Sequence, residues 1–382
     1  MEDARDAARG ARELVDWDLA ARTAVRLSRP GPAVGADEAV RAVALLREAA
    51  EAAPAHVAEV TGLAVAQGPG ALVVERGAWA RANVASFRTL LSPVLAEALA
   101  RREDERARRP GQRARRPGGP RGLGVAARVT GAELGSLLAL LSTRVLGQYD
   151  ALGEGPEAGR LLLVAPNVVA VQRDLDLDLP DFGLWVALHE ETHRVQFAAA
   201  PWLADHLRER ARGLSGGLLG EPGAVVERLS AGARALPALV RSLSARDGEG
   251  GGADAPSLVD LLADAEQRRA LAEVTAVMSL LEGHADVAMD AVGPSVVPSV
   301  RLIRRRFAAR RRTQRSVVDA ALRQLLGLDA KLRQYADGAR FVRGVTERVG
   351  TDGLNAVWSG PDALPAPEEV ADPAAWVRRV HG

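Results

Sequence analysis

The sequence predicts a mainly α-helical protein with a small β element. Over most of the chain, apolar residues recur at the three- and four-residue spacing that gives a helix one apolar face. Only two short apolar runs, at residues 71–74 and 161–172, have the composition of strands. The 382 residues are 47% hydrophobic, which is enough to bury a sizeable core.

The first hundred residues predict a helical scaffold. Helical spacing covers residues 13–27, 37–53 and 78–100, and the strand candidate at 71–74 lies between the last two. Residues 101–122 then combine dense Arg, Pro and Gly without apolar periodicity, which predicts a flexible surface loop. A contact with an anionic partner is the functional alternative for this loop, but no aromatic side chains are interleaved with its arginines.

The central region predicts a core helix followed by a strand. Residues 130–149 form an apolar helix in which Gly131 and Gly135 would allow a neighbouring element to pack closely. Residues 161–172 predict a strand directly before the next helix. This strand could pair with an extended peptide or be an ordinary buried strand, and the sequence leaves both interpretations open.

A metal-binding motif lies at the centre of the next helix, predicted for residues 180–201. This segment begins with a proline that suits a first turn and ends at a proline that cannot continue the helix. Its centre has the pattern HExxH, so His189 and His193 lie one turn apart on the same face. Two imidazoles in that position can bind one zinc ion, with Glu190 as the general base. The alternative is a pair of core histidines satisfied by neighbouring polar groups.

A third zinc ligand is predicted on a second helix, at residues 257–292. Glu282 and Asp286 lie one turn apart on its apolar face, where two carboxylates are costly unless they have partners. Glu282 as a zinc ligand, with Asp286 accepting the Nδ1–H of a ligand histidine, would give both carboxylates a partner. His284 is the alternative third ligand, but it lies about 200° around the helix from Glu282.

The amino-acid composition limits the kind of site. There is no cysteine, so zinc would be held by His, Asp, Glu and water, which favours a catalytic ion over a structural one. The chain has 50 basic and 49 acidic residues, and its net charge of +1 gives no overall attraction to nucleic acid or anionic membrane. Residues 301–315 are locally basic. A helix face paired with acidic residues is favoured there over a contact with nucleic acid or a substrate carboxylate.

The expected location is the cytoplasm. The N-terminal segment carries charges throughout and lacks the apolar region of a secretory signal. The longest apolar segment, residues 271–292, contains too many ionisable side chains for a lipid-exposed span. We therefore expect no membrane partner.

The order HExxH, then ExxxD on a later helix, resembles the gluzincin pattern. Several segments also resemble the actinobacterial zincin-like metallopeptidase type 2 family, some members of which are described as associated with coenzyme F420 biosynthesis. The resemblance runs nearly from end to end, which implies one family domain over residues 1–382. The segments are VDWDLAARTAVRL, ERGAWARANVASFRTLL, LSTRVLGQYD, LWVALHEETHRVQF, PWLADHL and MSLLEGHADVAMD, with the tail from QYADGARFVRGV to LNAVWSGPDALPAPEEVADPAAWVRRV.

The resemblance implies a mostly helical, zincin-like metallopeptidase fold with one zinc ion. The ligands would be His189, His193 and Glu282, with Glu190 as the base and Asp286 behind a ligand histidine.

Two features depart from the common pattern. Glu191 is acidic, whereas an uncharged residue usually follows the glutamate of HExxH. The interval between the second histidine and Glu282 is also long, and it would hold a helical segment at 203–244 and a Gly-rich loop at 245–256.

The predicted function is zinc-dependent hydrolysis of a peptide or amide bond, as by an intracellular metallopeptidase. Zinc would lower the pKa of a bound water, and Glu190 would take its proton and pass it to the leaving amine. Tyr149, His284 and Tyr335 are candidates for a further oxyanion donor. The alternative is a zincin-fold binding or regulatory protein without turnover, in which Glu190 would have no chemical purpose.

Overall fold

The computed structural model describes residues 14–108, 120–153, 159–218, 265–313 and 328–382, and it confirms the mainly α-helical fold. A small three-stranded sheet is the β element within these ranges. The helices are α1 (Trp17–Leu27), α2 (Ala36–Thr61), α3 (Arg76–Arg108), α4 (Pro120–Leu141), α5 (Ala165–Asp174), α6 (Leu179–Ala199), α7 (Leu203–Leu218), α8 (Ala265–Val292), α9 (Val300–Thr313), α10 (Leu328–Asn355) and α11 (Pro373–His381). The strands are β1 (Leu72–Val74), β2 (Gly147–Tyr149) and β3 (Leu161–Val164).

The central strand of the sheet is β3. It runs parallel to β1 and antiparallel to β2, and its residues are all buried. The predicted strand at 161–172 is too long, because the residues after Val164 form α5. Pro166 suits the first turn of a helix but would interrupt the hydrogen bonds of a central strand. Since β3 already has a neighbour on each side, it has no free edge for a peptide, and β2 is the edge strand beside α6.

Helix α4 packs closely against α1, as its glycines predict. A Cβ atom at Gly131 would lie only 2.3 Å from the carbonyl oxygen of Asp16, and one at Gly135 would lie 2.4 Å from that of Ala20. By length and composition alone, one helix in the described part of the chain could cross a membrane, and it is this one, over Gly124–Leu141. Its glycine contacts show that one face of α4 is used for packing within the fold.

The predicted helix at 130–149 also extends too far, because α4 ends at Leu141 and the last three residues form β2. The hydroxyls of Ser142 and Thr143 donate to backbone carbonyls at the end of α4. Such local hydrogen bonds compete with helix continuation.

The loop predicted for the Arg-rich residues 101–122 is wrong at both of its ends. Helix α3 continues to Arg108 and α4 begins at Pro120, so both ends of the predicted loop are helical. Charged residues are compatible with a helix, and proline is tolerated in a first turn. Residues 109–119 lie outside the described residues, as does the Gly-rich loop at 245–256. Of the helical segment predicted at 203–244, α7 is the described part.

The basic helix α9 pairs with acidic residues of neighbouring elements, as predicted. Arg304 contacts Asp286 and lies 2.9 Å from a carboxylate oxygen of Asp290. Arg306 and Arg310 pair with aspartates at the end of α5. Within the described residues, part of this basic face is therefore a packing surface against acids.

Two apolar clusters hold the two motif-bearing helices in place. Helix α6 buries Phe182, Val186 and Val195 in a cluster shared with α2. Helix α8 packs mainly on α10 through a second cluster that includes Leu280 and Phe341. The two helices also contact each other, so the segments that carry HExxH and ExxxD meet at one site.

Candidate metal centre

Helix α6 places the HExxH motif in its middle turns. Its N-terminus is capped by Asp178, whose side chain accepts a hydrogen bond of 3.0 Å from the backbone N–H of Asp181. The helical repeat then brings His189 and His193 together, with 3.2 Å between their Nε2 atoms. Two ring nitrogens this close cannot both carry a proton, so at least one Nε2 presents a lone pair, as a metal ligand must.

The structure brings Glu282 of α8, and not His284, to this histidine pair. Its Oε2 lies 3.4 Å from Nε2 of His189 and 3.8 Å from Nε2 of His193. A tetrahedral zinc ion with bonds of roughly 2.0–2.2 Å separates its ligand atoms by about 3.3–3.6 Å. The three side chains therefore fit one zinc ion with only small adjustments, and a fourth direction remains for water or substrate.

Glu190 lies beside this cluster, against the edge strand β2. The residue is 7% exposed, and the backbone N–H of Tyr149 donates to its carboxylate. Burial raises the pKa of Glu190 to about 7, although the charge of His189 opposes that shift. A pKa near the working pH is suited to a group that must accept and then return a proton.

A cavity of about 380 Å³ opens over these residues, lined by the two histidines, Glu190 and Glu282 together with side chains of α3, β2, α7 and α8. Glu191 does not line it. That side chain is 1% exposed, and its carboxylate accepts a hydrogen bond of 2.9 Å from Arg194. The acidic residue that departs from the common motif therefore serves packing within the protein and does not alter the rim of the site.

Comparison with known proteins agrees with this geometry. A family model described as zincin-like metallopeptidase matches residues 15–377. The chain belongs to the zincin-like metallopeptidase family. The chain is also similar to a candidate hydrolase with a novel fold from Chloroflexus aurantiacus, whose crystal structure is known. The two sequences are 28% identical, and the structures superpose with a TM-score of 0.64. The match covers 96% of this chain and 99% of the other. No curated protein matches the chain. Membership of the family implies zinc as the metal for the candidate site.

In this zincin-like protein, Gln196 holds the second histidine of the motif. Its Oε1 lies 2.9 Å from Nδ1 of His193, and its Nε2 lies 2.9 Å from the carbonyl oxygen of Leu281 and 3.0 Å from Nδ1 of His284. An amide oxygen only accepts and an amide nitrogen only donates. His193 therefore carries its proton on Nδ1 and directs the lone pair of Nε2 toward the metal position.

His284 is part of this buried network. Its Nδ1 accepts from Gln196, its ring packs edge-on against Trp358, and burial lowers its pKa to about 4. It is therefore a neutral core residue that supports Gln196. Sequence analysis did not assign a role to Gln196; its position one turn after His193 was the available signal.

The hydrogen bond predicted from a ligand histidine to Asp286 is not formed. Asp286 pairs instead with Arg304 of α9, while Nδ1 of His189 lies 3.3 Å from the sulfur of Met289. A guanidinium that approaches from another helix is a stronger partner for a carboxylate than a neutral imidazole N–H. Asp286 still acts on the site through its charge, which favours the protonated form of His189 and so helps raise its pKa.

Of the two tyrosines that are candidates for an oxyanion donor, the structure describes the side chain of Tyr149. Tyr149 packs its ring 5.6 Å from that of Phe197 and directs its hydroxyl toward Gly159. Its contact with Glu190 is made by the backbone, not by the hydroxyl. The side chain of Tyr335 lies outside the described part of the chain.

Replacing Gly147 with alanine is expected to impair catalysis and spare zinc binding. A Cβ atom at this position would lie 2.6 Å from Cγ and 2.8 Å from Oε1 of Glu190, so the carboxylate must move. A displacement of about 1 Å in a catalytic group lowers turnover by about a hundredfold. Turnover and bound zinc would be measured together, with Gly68→Ala as the control because nothing lies within 4 Å of that Cβ position. Unchanged turnover in Gly147→Ala would contradict the placement of Glu190.

Replacing Gln196 with leucine is expected to weaken zinc binding by about 10- to 100-fold, as for other residues that orient a ligand histidine. Gln196→Glu keeps an acceptor for His193 and should retain more affinity. Competition with a chromophoric chelator measures the dissociation constants. Gln172→Leu is the matched control, because its amide bonds to the carbonyl of Leu177 away from the site. A folded Gln196→Leu protein with wild-type affinity would rule out the orienting role.

Zinc binding is expected to release a proton from His189. Burial lowers the pKa of this histidine, but the hydrogen bond to Glu282 and the charges of Glu190, Glu282 and Asp286 outweigh that effect and raise it to about 9. Below that pH the metal-free site holds a proton that zinc must displace, so this proton makes the affinity rise about tenfold per pH unit until the pKa is passed. The water that zinc acidifies would lose a proton both at about pH 8 and at about pH 10. Calorimetry in buffers of different ionisation enthalpy should therefore find about one proton more released at about pH 8 than at about pH 10. Equal proton release at the two pH values would contradict this protonation state.

Proposed function

We propose that this protein is a zinc-dependent hydrolase that cleaves a peptide or amide bond as an intracellular metallopeptidase. The observation that carries the proposal is the spacing of His189, His193 and Glu282, which needs only small adjustments to give the ligand separations of one tetrahedral zinc ion. Glu190 lies beside them and lines the same cavity. Family membership supports the same chemistry.

The residues of the site divide the work of hydrolysis. When bound, zinc would acidify a water molecule and polarise the substrate carbonyl. Glu190 accepts the proton of the attacking water and then donates it to the leaving amine, and its buried position beside the three ligand residues, at the cavity wall, suits both steps. The backbone N–H of Tyr149 orients the Glu190 carboxylate, and Gly147 leaves the space that this side chain occupies. Gln196 keeps His193 in the tautomer that presents Nε2.

The test combines metal analysis with a cleavage assay. Protein purified without added metal should contain about one zinc per chain by elemental mass spectrometry. The zinc-loaded protein should cleave members of a peptide library, lose this activity with a chelator and regain it with zinc. A protein that binds zinc stoichiometrically but hydrolyses no peptide or amide would instead be a zincin-fold binding or regulatory protein.

A further inference from the structure

One carboxylate in the cavity is not accounted for by the metal centre. Asp150 follows directly after β2 and lines the same cavity as the histidines and Glu190. Among the described lining residues, it is the one charged side chain that is neither a candidate ligand nor the candidate base, and none of them is Lys or Arg. A substrate in this cavity would therefore meet a negative charge in addition to the metal.

Neutral donors hold the Asp150 carboxylate in position. The Ser86 hydroxyl lies 3.1 Å from Oδ1 and 3.0 Å from Oδ2, and the backbone N–H of Gly153 donates to Oδ1 at 3.1 Å. A carboxylate offers about four lone-pair sites, so Oδ2 retains capacity for another donor. Burial raises the pKa of Asp150, which is the behaviour of a carboxylate whose charge is incompletely compensated.

The basic residue that acts on Asp150 is directed elsewhere. Arg208 has only a minor effect on the Asp150 pKa. Its guanidinium donates to Asp205 at 2.7 Å and lies near the carbonyl oxygens of Leu152 and Gly153. Among the described residues, the carboxylate thus lacks a close cationic partner of the kind that Glu191 finds in Arg194.

Asp150 follows a strand end that is held by hydrogen bonds, and the cavity wall near it is largely apolar. Gln148, two residues earlier on the same face of β2, accepts hydrogen bonds from Trp79 at 2.7 Å and Asn83 at 3.1 Å. These bonds fasten the end of β2 to α3, so the carboxylate cannot easily withdraw. The remaining cavity wall includes the apolar side chains of Phe87, Leu90, Phe197, Leu207 and Met278.

We propose that Asp150 recognises a cationic group of the substrate, an ammonium or a guanidinium, and that the protein therefore acts on peptides that present such a group to the cavity. The cation would pair with the carboxylate while its aliphatic stem lies along the apolar wall. Such a group can come from a lysine or arginine side chain or from a free peptide N-terminus. This inference rests on the proposed function, whose site it shares.

The test measures binding separately from turnover. Zinc-loaded Glu190→Gln protein would be titrated with alanine-based hexapeptides that carry one lysine, glutamine or glutamate at the same position, each with a free or an acetylated N-terminus. A single charge-assisted pair should make the cationic peptide bind about tenfold more tightly than its neutral analogue. If acetylation weakens binding and the change from lysine to glutamine does not, the recognised group is the N-terminal amine; if only the change from lysine to glutamine weakens binding, the group is the side chain.

The decisive variant is Asp150→Asn in the same background. Asparagine can still accept from Ser86 and Gly153, so the substitution removes the charge and keeps the local structure. The affinity ratio between cationic and neutral peptides should fall to about one, while Asp18→Asn, an exposed aspartate on α1, should leave it unchanged. The inference would be overturned if protein with Asp150 intact bound the lysine and glutamine peptides equally and also bound their free and acetylated forms equally. A preference that survives Asp150→Asn would overturn it as well.

The two proposals can fail separately. Wild-type protein that cleaves neutral and cationic peptides equally would sustain the proposed hydrolase and refute the role of Asp150. Wild-type protein that cleaves none of them, while its binding preference disappears in Asp150→Asn, would refute the hydrolase and sustain the recognition of cationic peptides.

Discussion

Glu190→Gln protein is expected to keep its zinc and lose its turnover. Glutamine has nearly the same shape as glutamate but cannot accept the proton of the attacking water. General-base catalysis contributes about 10²- to 10⁴-fold, so kcat should fall by at least the lower end of that range. Because Glu190 is not one of the three clustered ligand side chains, zinc content should remain at the wild-type level. Single-turnover kinetics and elemental analysis of the same samples measure both quantities.

The neighbouring glutamate supplies a matched control for this experiment. Glu191→Gln makes the same chemical change one residue later on α6, at a side chain that pairs with Arg194 and does not line the cavity. It should lower stability because it weakens a buried ion pair, while kcat of the folded fraction stays near the wild-type value. Full activity in Glu190→Gln would show that another group is the base.

Local sequence signals were sufficient to predict the motif helix. The prolines at its two ends and the spacing of His189 and His193 depend only on helical geometry, and α6 has nearly the predicted bounds. The position of Glu282 beside polar side chains could be predicted because a carboxylate on an apolar helix face needs a partner. The structure brings these three residues together, although they come from two helices far apart in the chain.

Contacts between distant segments could not be predicted in the same way. Asp286 has the right spacing to support a ligand histidine, but Arg304 reaches it from α9, which no pattern within α8 indicates. Gln196 lies on the same stripe as the core residues of α6, and its role depends on Leu281 and His284 being opposite it. The short strand β2 was assigned to a helix, because a three-residue strand is stabilised by its neighbours and not by its own periodicity.

Glu282→Ala is expected to weaken zinc binding far more than any change at His284. Removal of a ligand oxygen should cost more than the roughly hundredfold upper value seen when a residue behind a ligand is lost. Glu273→Ala is the matched control on α8, because this glutamate pairs with Arg210 and Arg269 away from the cavity. Chelator competition at one pH measures the zinc affinities of Glu282→Ala, Glu273→Ala and His284→Ala on the same scale.

His284→Ala should show the opposite balance of effects. It leaves an amide hydrogen of Gln196 without an acceptor in a buried site, which should lower the free energy of unfolding by about 1–3 kcal/mol. Its effect on zinc is indirect, through Gln196 and His193, and should not exceed about tenfold, the lower end of the range for residues that orient a ligand. Chemical denaturation of the metal-free proteins separates stability from metal affinity. If His284→Ala lost zinc and Glu282→Ala retained it, the third ligand would be the histidine, and α8 would have to rotate to present it.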